Sequence, residues 1–238
     1  MNRLLLGDVG SGKTVVAFTG MFVNYLSGYQ SALMAPTEIL ATQHYNNLCN
    51  FLKDTDIKVA LLTGSVTKKD KLEIYKGLKN GSINMVIGTH ALIQDEVEYN
   101  NLGLVITDEQ HRFGVHQRAN LQNKGIKPDV LYMSATPIPR TYALTIFGDM
   151  DVSTIKERPK GRQKIDTFVK KNSEIKEVLG MMYEELKNNH QVYVIAPFIE
   201  ESENSDINTV NELRDQMKLA FGEKYKIDIV HGKMASGA

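Results

Sequence analysis

The sequence predicts an α/β domain built on a mostly parallel sheet, and three observations carry that prediction. Short apolar, β-branched runs alternate with amphipathic stretches. The first such run, Leu4-Leu5-Leu6, leads straight into a glycine-rich loop and a helix-like stretch. A later run, Leu104-Val105-Ile106-Thr107, delivers two adjacent acids at its end.

Strands are expected at 3–6, 31–35, 58–62, 84–87, 103–107 and 130–133, and helices at 13–26, 38–52, 68–79, 115–122 and 140–147. In the first helix Val16, Phe18, Met21, Phe22 and Tyr25 recur at roughly helical spacing. A strand, loop and helix followed by further strand–helix units describe a RecA-like P-loop NTPase domain, whose ligands gather at the carboxyl ends of the strands. The polar, Pro/Gly-containing segment 158–164 interrupts this rhythm and reads as a linker between a first domain at 1–157 and a second unit at 165–238. In that second unit strands are expected at 165–169, 191–196 and 227–230, and helices at 174–187 and 210–220, about half a domain's worth of elements. The expected fold class is therefore α/β, a RecA-like domain with a mostly parallel sheet followed by a truncated second RecA-like domain.

Lys+Arg and Asp+Glu balance at 28 each, so no global positive charge announces nucleic acid, and any such contact must come from local groups. The single cysteine, Cys49, excludes an internal disulfide and reads as a packing residue in a reducing compartment. No run approaches the ~18 apolar residues of a membrane span, and the N-terminus lacks the layout of a signal peptide. The expectation is a cytoplasmic, soluble, monomeric protein. His90 and His116 have no second His or Cys at ligand spacing, which argues against a zinc site.

Gly7-Asp8-Val9-Gly10-Ser11-Gly12-Lys13-Thr14 fits the phosphate-cradling pattern G-x-x-x-x-G-K-[ST]. Its glycines let the backbone turn so that successive N–H groups and the positive end of the following helix face one anion. Lys13 is expected to reach the β- and γ-phosphates, and Thr14 to put its hydroxyl on Mg²⁺. Asp108 can hold the same ion, and Glu109 can orient and deprotonate the attacking water. A guanine-reading Asn-Lys-x-Asp has only the imperfect match Asn123-Lys124-Gly125-Ile126, and nothing marks the lid arginines of a small-molecule kinase. A nucleotide-binding module that does no mechanical work shares every one of these motifs and stays open.

Leu6 to Thr14, Ala35-Pro36-Thr37-Glu38-Ile39-Leu40-Ala41, Leu62-Thr63-Gly64-Ser65, Gly88-Thr89-His90-Ala91-Leu92-Ile93-Gln94, Asp108-Glu109-Gln110-His111-Arg112-Phe113-Gly114-Val115 and Ser134-Ala135-Thr136-Pro137-Ile138-Pro139-Arg140-Thr141 together resemble the first motor half of the RecG family of superfamily-two DNA helicases. The resemblance covers nearly the whole chain. It implies an ATP-dependent translocase acting on branched double-stranded DNA, reversing forks and migrating Holliday junctions in recombination and repair. By motif position it assigns Gly7 to Thr14 to ATP, Thr14 and Asp108 to Mg²⁺, and Lys13, Glu109, Gln110 and His111 to catalysis. It assigns Pro36, Thr37, Glu38, Thr63, Gly64, Thr89 and His90 to DNA, and Ser134, Thr136 and Arg140 to coupling hydrolysis with domain movement. Phosphate oxygens suit hydroxyl and backbone N–H donors at strand ends, although Pro and Thr after a strand also serve as turn and cap residues.

Family members carry a junction-gripping wedge domain and an adenine-reading segment ahead of the phosphate loop, which here begins at residue 7. At the other end Ile229-Val230-His231-Gly232-Lys233-Met234 resembles the opening of the second motor half. The resemblance thus leads one to expect ATP binding with little or no turnover by this stretch alone, since an arginine completing the site is worth about 10³ to 10⁵ in rate.

Overall fold

The computed structural model describes residues 1–109, 124–135, 150–157, 165–196, 210–222, 224–231 and 234. They divide into two compact units, Met1–Gln163 and Lys164–Ala238. The first unit is a 7-stranded sheet in the order β3-β4-β2-β5-β6-β1-β7. Its strands are β1 (Asn2–Gly7), β2 (Gln30–Met34), β3 (Val59–Leu62), β4 (Met85–Gly88), β5 (Leu102–Asp108), β6 (Asp129–Ser134) and β7 (Asp151–Ile155). Every ladder is parallel, so all the carboxyl ends lie on one rim.

Alternation along each strand decides which face a side chain joins. Leu33 and Ala35 pack with Leu5, Ile87, Ile106 and Met133 beneath helices α1 (Lys13–Leu26) and α2 (Glu38–Phe51), which contribute Ala17, Phe18, Met21, Ala41 and Leu48. The residues that alternate with them, Ala32 and Met34, point the other way, with Leu62, Val86 and Val105, and Leu78 of α3 (Lys68–Lys79) covers that side. β2 is buried at every position, as a central parallel strand covered on both faces must be.

Helix boundaries have local causes. Thr37 Oγ1 accepts from the Leu40 N–H at 3.3 Å to open α2, and Thr67 Oγ1 accepts from the Asp70 N–H at 3.2 Å to open α3. Gly28, at φ 83°, follows the last turn of α1. Buried Gln30 staples three segments: its Nε2 donates to the carbonyls of Leu78 at 2.9 Å and Ile83 at 2.7 Å, and its Oε1 accepts from Asn101 N–H at 3.0 Å. Gly88 has no alternative side chain, because a Cβ there would stand 2.1 Å from the Leu62 carbonyl oxygen.

α1 and α3 occupy the ranges the periodicity predicts, and α2 stops one residue sooner, at Phe51. β7 and the 3₁₀ turn His90–Ile93 were not expected. β7 is a half-exposed edge strand with only Val152 and Ile155 as apolar residues, too weak an alternation to stand out. The helices expected at 115–122 and 140–147 lie outside the described residues.

The second unit holds α4 (Ile175–Lys187), preceded by a 3₁₀ turn at Asn172–Glu174, and α5 (Val210–Phe221). The stretches 165–169, 191–196 and 227–230, expected as strands, form no ladder among the described residues. A strand exists by pairing, and none of these has a hydrogen-bonded neighbouring strand among the described residues. Met182 and Leu186 of α4, Leu213, Met217 and Phe221 of α5, and Val192 line a cavity of about 520 Å³.

Candidate nucleotide and DNA site

The phosphate loop springs from the end of β1. Gly7 is buried there, and a Cβ on it would meet Ser11 Oγ at 2.4 Å, so glycine lets the loop fold back over its own strand. Ser11 N–H donates to the Asp8 carbonyl at 3.1 Å, while Gly10 and Gly12 adopt φ 77° and 94°. Only glycine takes such values without strain. Gly12 also caps α1, with no side-chain cap and no acid in the first turn, so the helix N-terminus keeps its N–H groups and its positive dipole for a ligand. Lys13 Nζ donates to the carbonyls of Gly7 at 2.7 Å and Asp8 at 3.0 Å, which arches the ammonium over the loop. Asp8 itself turns back to accept from Val9 N–H at 2.7 Å. The loop opens on a cavity of about 560 Å³ lined by Gly10, Gly12, Lys13, Thr14 and, from α2, Asn47, Asn50 and Phe51.

Asp108 and Glu109 arrive from β5. β6 lies between β5 and β1, pairing Met133 with Asp108 and Ser134 with Leu6, so the acids and the loop stand two strand spacings apart, roughly 10 Å. Ser134, fully buried, closes the gap from below. Glu109 has φ 48°, a left-handed conformation uncommon outside glycine, and its N–H donates to Asp108 Oδ1 at 3.0 Å. Asp108 Oδ2 accepts from His44 Nε2 at 2.8 Å. His44 in turn meets the Phe18 ring edge-on, centroids 6.4 Å apart. Thr14 precedes Phe18 by one helical turn on α1, and both line the cavity at the phosphate loop.

A triphosphate with magnesium fits these residues. Ser11 Oγ is buried without a hydrogen-bond partner beside the backbone cradle, a donor that an anion would satisfy. Among the described residues no group of three or more His, Cys, Asp or Glu could cage a metal. Mg²⁺ needs no cage, because it is held by one or two protein oxygens together with substrate phosphates.

The remaining predicted residues gather further along the rim. β4 pairs with both β2 and β3, bringing Pro36, Thr37 and Glu38, Thr63 and Gly64, and Thr89 and His90 to neighbouring strand ends. Glu38 accepts from Ser65 N–H at 3.1 Å, and Lys71 Nζ donates to the Gly64 carbonyl at 3.0 Å. Thr63 Oγ1 pairs with Ser65 Oγ at 2.9 Å, whereas Thr89 Oγ1 is buried without a partner. Gln110, His111, Thr136 and Arg140 lie outside the described residues. Lys124 does not stand at a base pocket: its Nζ donates to the carbonyls of Gln94 at 2.6 Å and Val97 at 2.8 Å, pinning the loop after the 3₁₀ turn. Burial there pushes its pKa down, against the pull of Asp95, Glu96 and Glu98.

His44 is the residue that motif reading passes over. Its signal is a polar residue inside the inward stripe Ala41, His44, Leu48 of α2.

Residues 1–145 match the family model for DEAD/DEAH box helicases. The chain belongs to the DEAD/DEAH box helicase family. Over 236 residues this helicase-family chain is 52% identical to the ATP-dependent DNA helicase RecG of Bacillus subtilis (strain 168), a match covering 99% of this chain and 35% of that protein. The RecG of Aquifex aeolicus (strain VF5) is also 52% identical over 236 residues, covering 98% of this chain and 30% of that protein. The chain thus spans about a third of the length of these curated relatives. Among solved structures, RecG bound to a three-way DNA junction matches with a TM-score of 0.73 and 45% identity, over 92% of this chain and 28% of that one. The DUF1998 helicase MrfA bound to DNA and AMPPNP, 18% identical, matches with a TM-score of 0.59 over 79% of this chain and 30% of that one, a likeness of fold alone. The parallel sheet with its phosphate loop is a RecA-like core.

Proposed function

We propose that this chain is the ATP-binding motor portion of a RecG-type DNA helicase, acting on branched double-stranded DNA such as forks and Holliday junctions. The observation that carries the reading is the shared rim: phosphate loop and acid pair on β1 and β5, hydroxyl-rich turns on β2, β3 and β4. Its similarity to ATP-dependent DNA helicases RecG and to the junction-bound RecG supports the substrate class.

In this reading the loop N–H groups and Ser11 take the phosphates, with Lys13 across the β- and γ-groups. Thr14 and Asp108 hold Mg²⁺, which neutralises charge on the phosphates when bound. Glu109 orients the attacking water and accepts its proton, the positioning role on which phosphoryl transfer depends. Gln110 and His111 sense the γ-phosphate, and Ser134, Thr136 and Arg140 relay hydrolysis to domain movement. Thr37, Thr63, Thr89 and His90, with backbone N–H groups of the same turns and Pro36 shaping one of them, receive DNA phosphates. Glu38 serves by bracing the Gly64–Ser65 turn, since a carboxylate repels phosphate.

The test is binding of a labelled three-way fork to this chain across a salt series, with ATP hydrolysis measured with and without the fork in a longer protein that also carries the second motor half. Binding that weakens steeply with salt, and turnover raised by the fork, are expected of a motor. Salt-independent binding contradicts the phosphate-contact account. A fork that binds without changing hydrolysis leaves a nucleotide-binding module.

A further inference from the structure

We infer that His44 is a positioning residue for the magnesium carboxylate, and that the chain's affinity for metal-loaded nucleotide depends on it. The inference rests on the nucleotide reading above and adds a residue that no motif contains. His44 and Asp108 are 64 positions apart in sequence, yet Nε2 and Oδ2 lie 2.8 Å apart, with the two side chains 8% and 13% exposed. So little exposure marks an internal contact rather than a chance meeting of surface groups.

The direction of the hydrogen bond follows from the rest of the ring. Nδ1 is buried and has no partner, so a proton there would be desolvated without an acceptor. The proton of a neutral ring therefore belongs on Nε2, donating to Asp108. Asp108 Oδ1 accepts separately from the Glu109 N–H at 3.0 Å. Each carboxylate oxygen is thus held once, by donors on different elements, and the group cannot turn without breaking one bond. Each oxygen keeps a further lone-pair direction, which serves a cation at the mouth of the site.

α2 is suited to hold the ring still. His44 lies in its buried stripe between Ala41 and Leu48, and Phe18 of α1 packs against the imidazole with the two ring planes 85° apart. An outer hydrogen bond that orients a metal-ligating group commonly governs 10- to 100-fold in affinity or activity, roughly the range expected here.

The experiment is calorimetry of ADP binding to the full chain, in Mg²⁺ and in EDTA, for the wild type, His44→Phe and His44→Gln. Phe keeps the ring and its packing but loses the donor; Gln keeps a donor of similar reach. His44→Phe should lose about tenfold or more of the gain that Mg²⁺ confers, with affinity in EDTA within about twofold of wild type, and His44→Gln should recover most of that gain. A histidine that only fills the core would leave the Mg²⁺ gain intact in His44→Phe, and that result overturns the assignment. Should His44→Phe fail to fold, the ring ¹⁵N shifts of the wild type decide: a proton on Nε2 whose resonance moves in Asp108→Asn supports the pair, and a proton on Nδ1 overturns it. If the wild type binds no ADP in either condition, it is the nucleotide reading that fails. If it binds with a Mg²⁺ gain that His44→Phe retains, that reading stands and only the role of His44 falls.

Discussion

Lys13→Ala is the sharpest perturbation of the phosphate loop. Nζ already spends two of its three protons on the Gly7 and Asp8 carbonyls, at 2.7 and 3.0 Å. Bound β- and γ-phosphate oxygens offer charge-assisted hydrogen bonds of roughly 1.5–3 kcal/mol each, and about 1 kcal/mol is given up for each loop carbonyl released. Because the third proton is free, two phosphate contacts release only one carbonyl, and removing the ammonium is a net loss on the order of 2–5 kcal/mol. That corresponds to roughly 30- to 4,000-fold weaker binding. Calorimetry with a magnesium-loaded, non-hydrolysable ATP analogue reads it directly. Thermal unfolding without ligand should shift by a modest amount, about 1 kcal/mol, because the Gly7 carbonyl loses a partner at a buried position while Asp8 is half-exposed. A change in affinity below about threefold would refute the placement of the ammonium at the phosphates. Lys13→Arg should not rescue, since a planar fork cannot replace a compact charge inside this arch.

Two other substitutions probe separate links. Glu109→Gln, in a protein that hydrolyses ATP, should keep nucleotide affinity while turnover falls by at least 100-fold; retained turnover in a single-turnover assay would remove Glu109 from its role. Gly20→Ala should stabilise the first unit by about 0.5–1 kcal/mol, because Gly20 lies within α1 and the new methyl would meet only Leu104 Cδ2, at 3.6 Å. A lower midpoint in urea unfolding would show that the helix cannot accept it.

Much of the architecture was legible because it is written locally. The ranges of α1 and α3 follow from apolar period and caps, and the central strands from unbroken apolar runs flanked by turns. The phosphate loop was legible for the same reason, its chemistry lying within eight consecutive residues. What was not legible is what depends on distant partners. Gln30 looks like an ordinary polar residue before a strand, and its value appears only when Leu78, Ile83 and Asn101 arrive around it. His44 needs Asp108, and no window around either residue contains the other. β7 is held chiefly by its ladder to β1, with Arg3 reaching Ser153 Oγ at 2.7 Å, rather than by apolar pattern of its own. In the second unit the apolar runs at 191–196 and 227–230 carry strand composition without strand pairing among the described residues, because pairing belongs to the neighbour as much as to the run.

The parallel register has a mechanical meaning. Five inter-strand steps separate β1 from β3, a span of roughly 24 Å, bridged by continuous ladders with buried residues on both faces. Such a slab fixes the distance between the phosphate loop and the turns that follow β2, β3 and β4, which cannot stretch without tearing ladders apart. If the proposed function holds, work from hydrolysis would have to appear as displacement of some other body against this gauge, and a spin label on each end of the slab should report one constant separation with and without nucleotide.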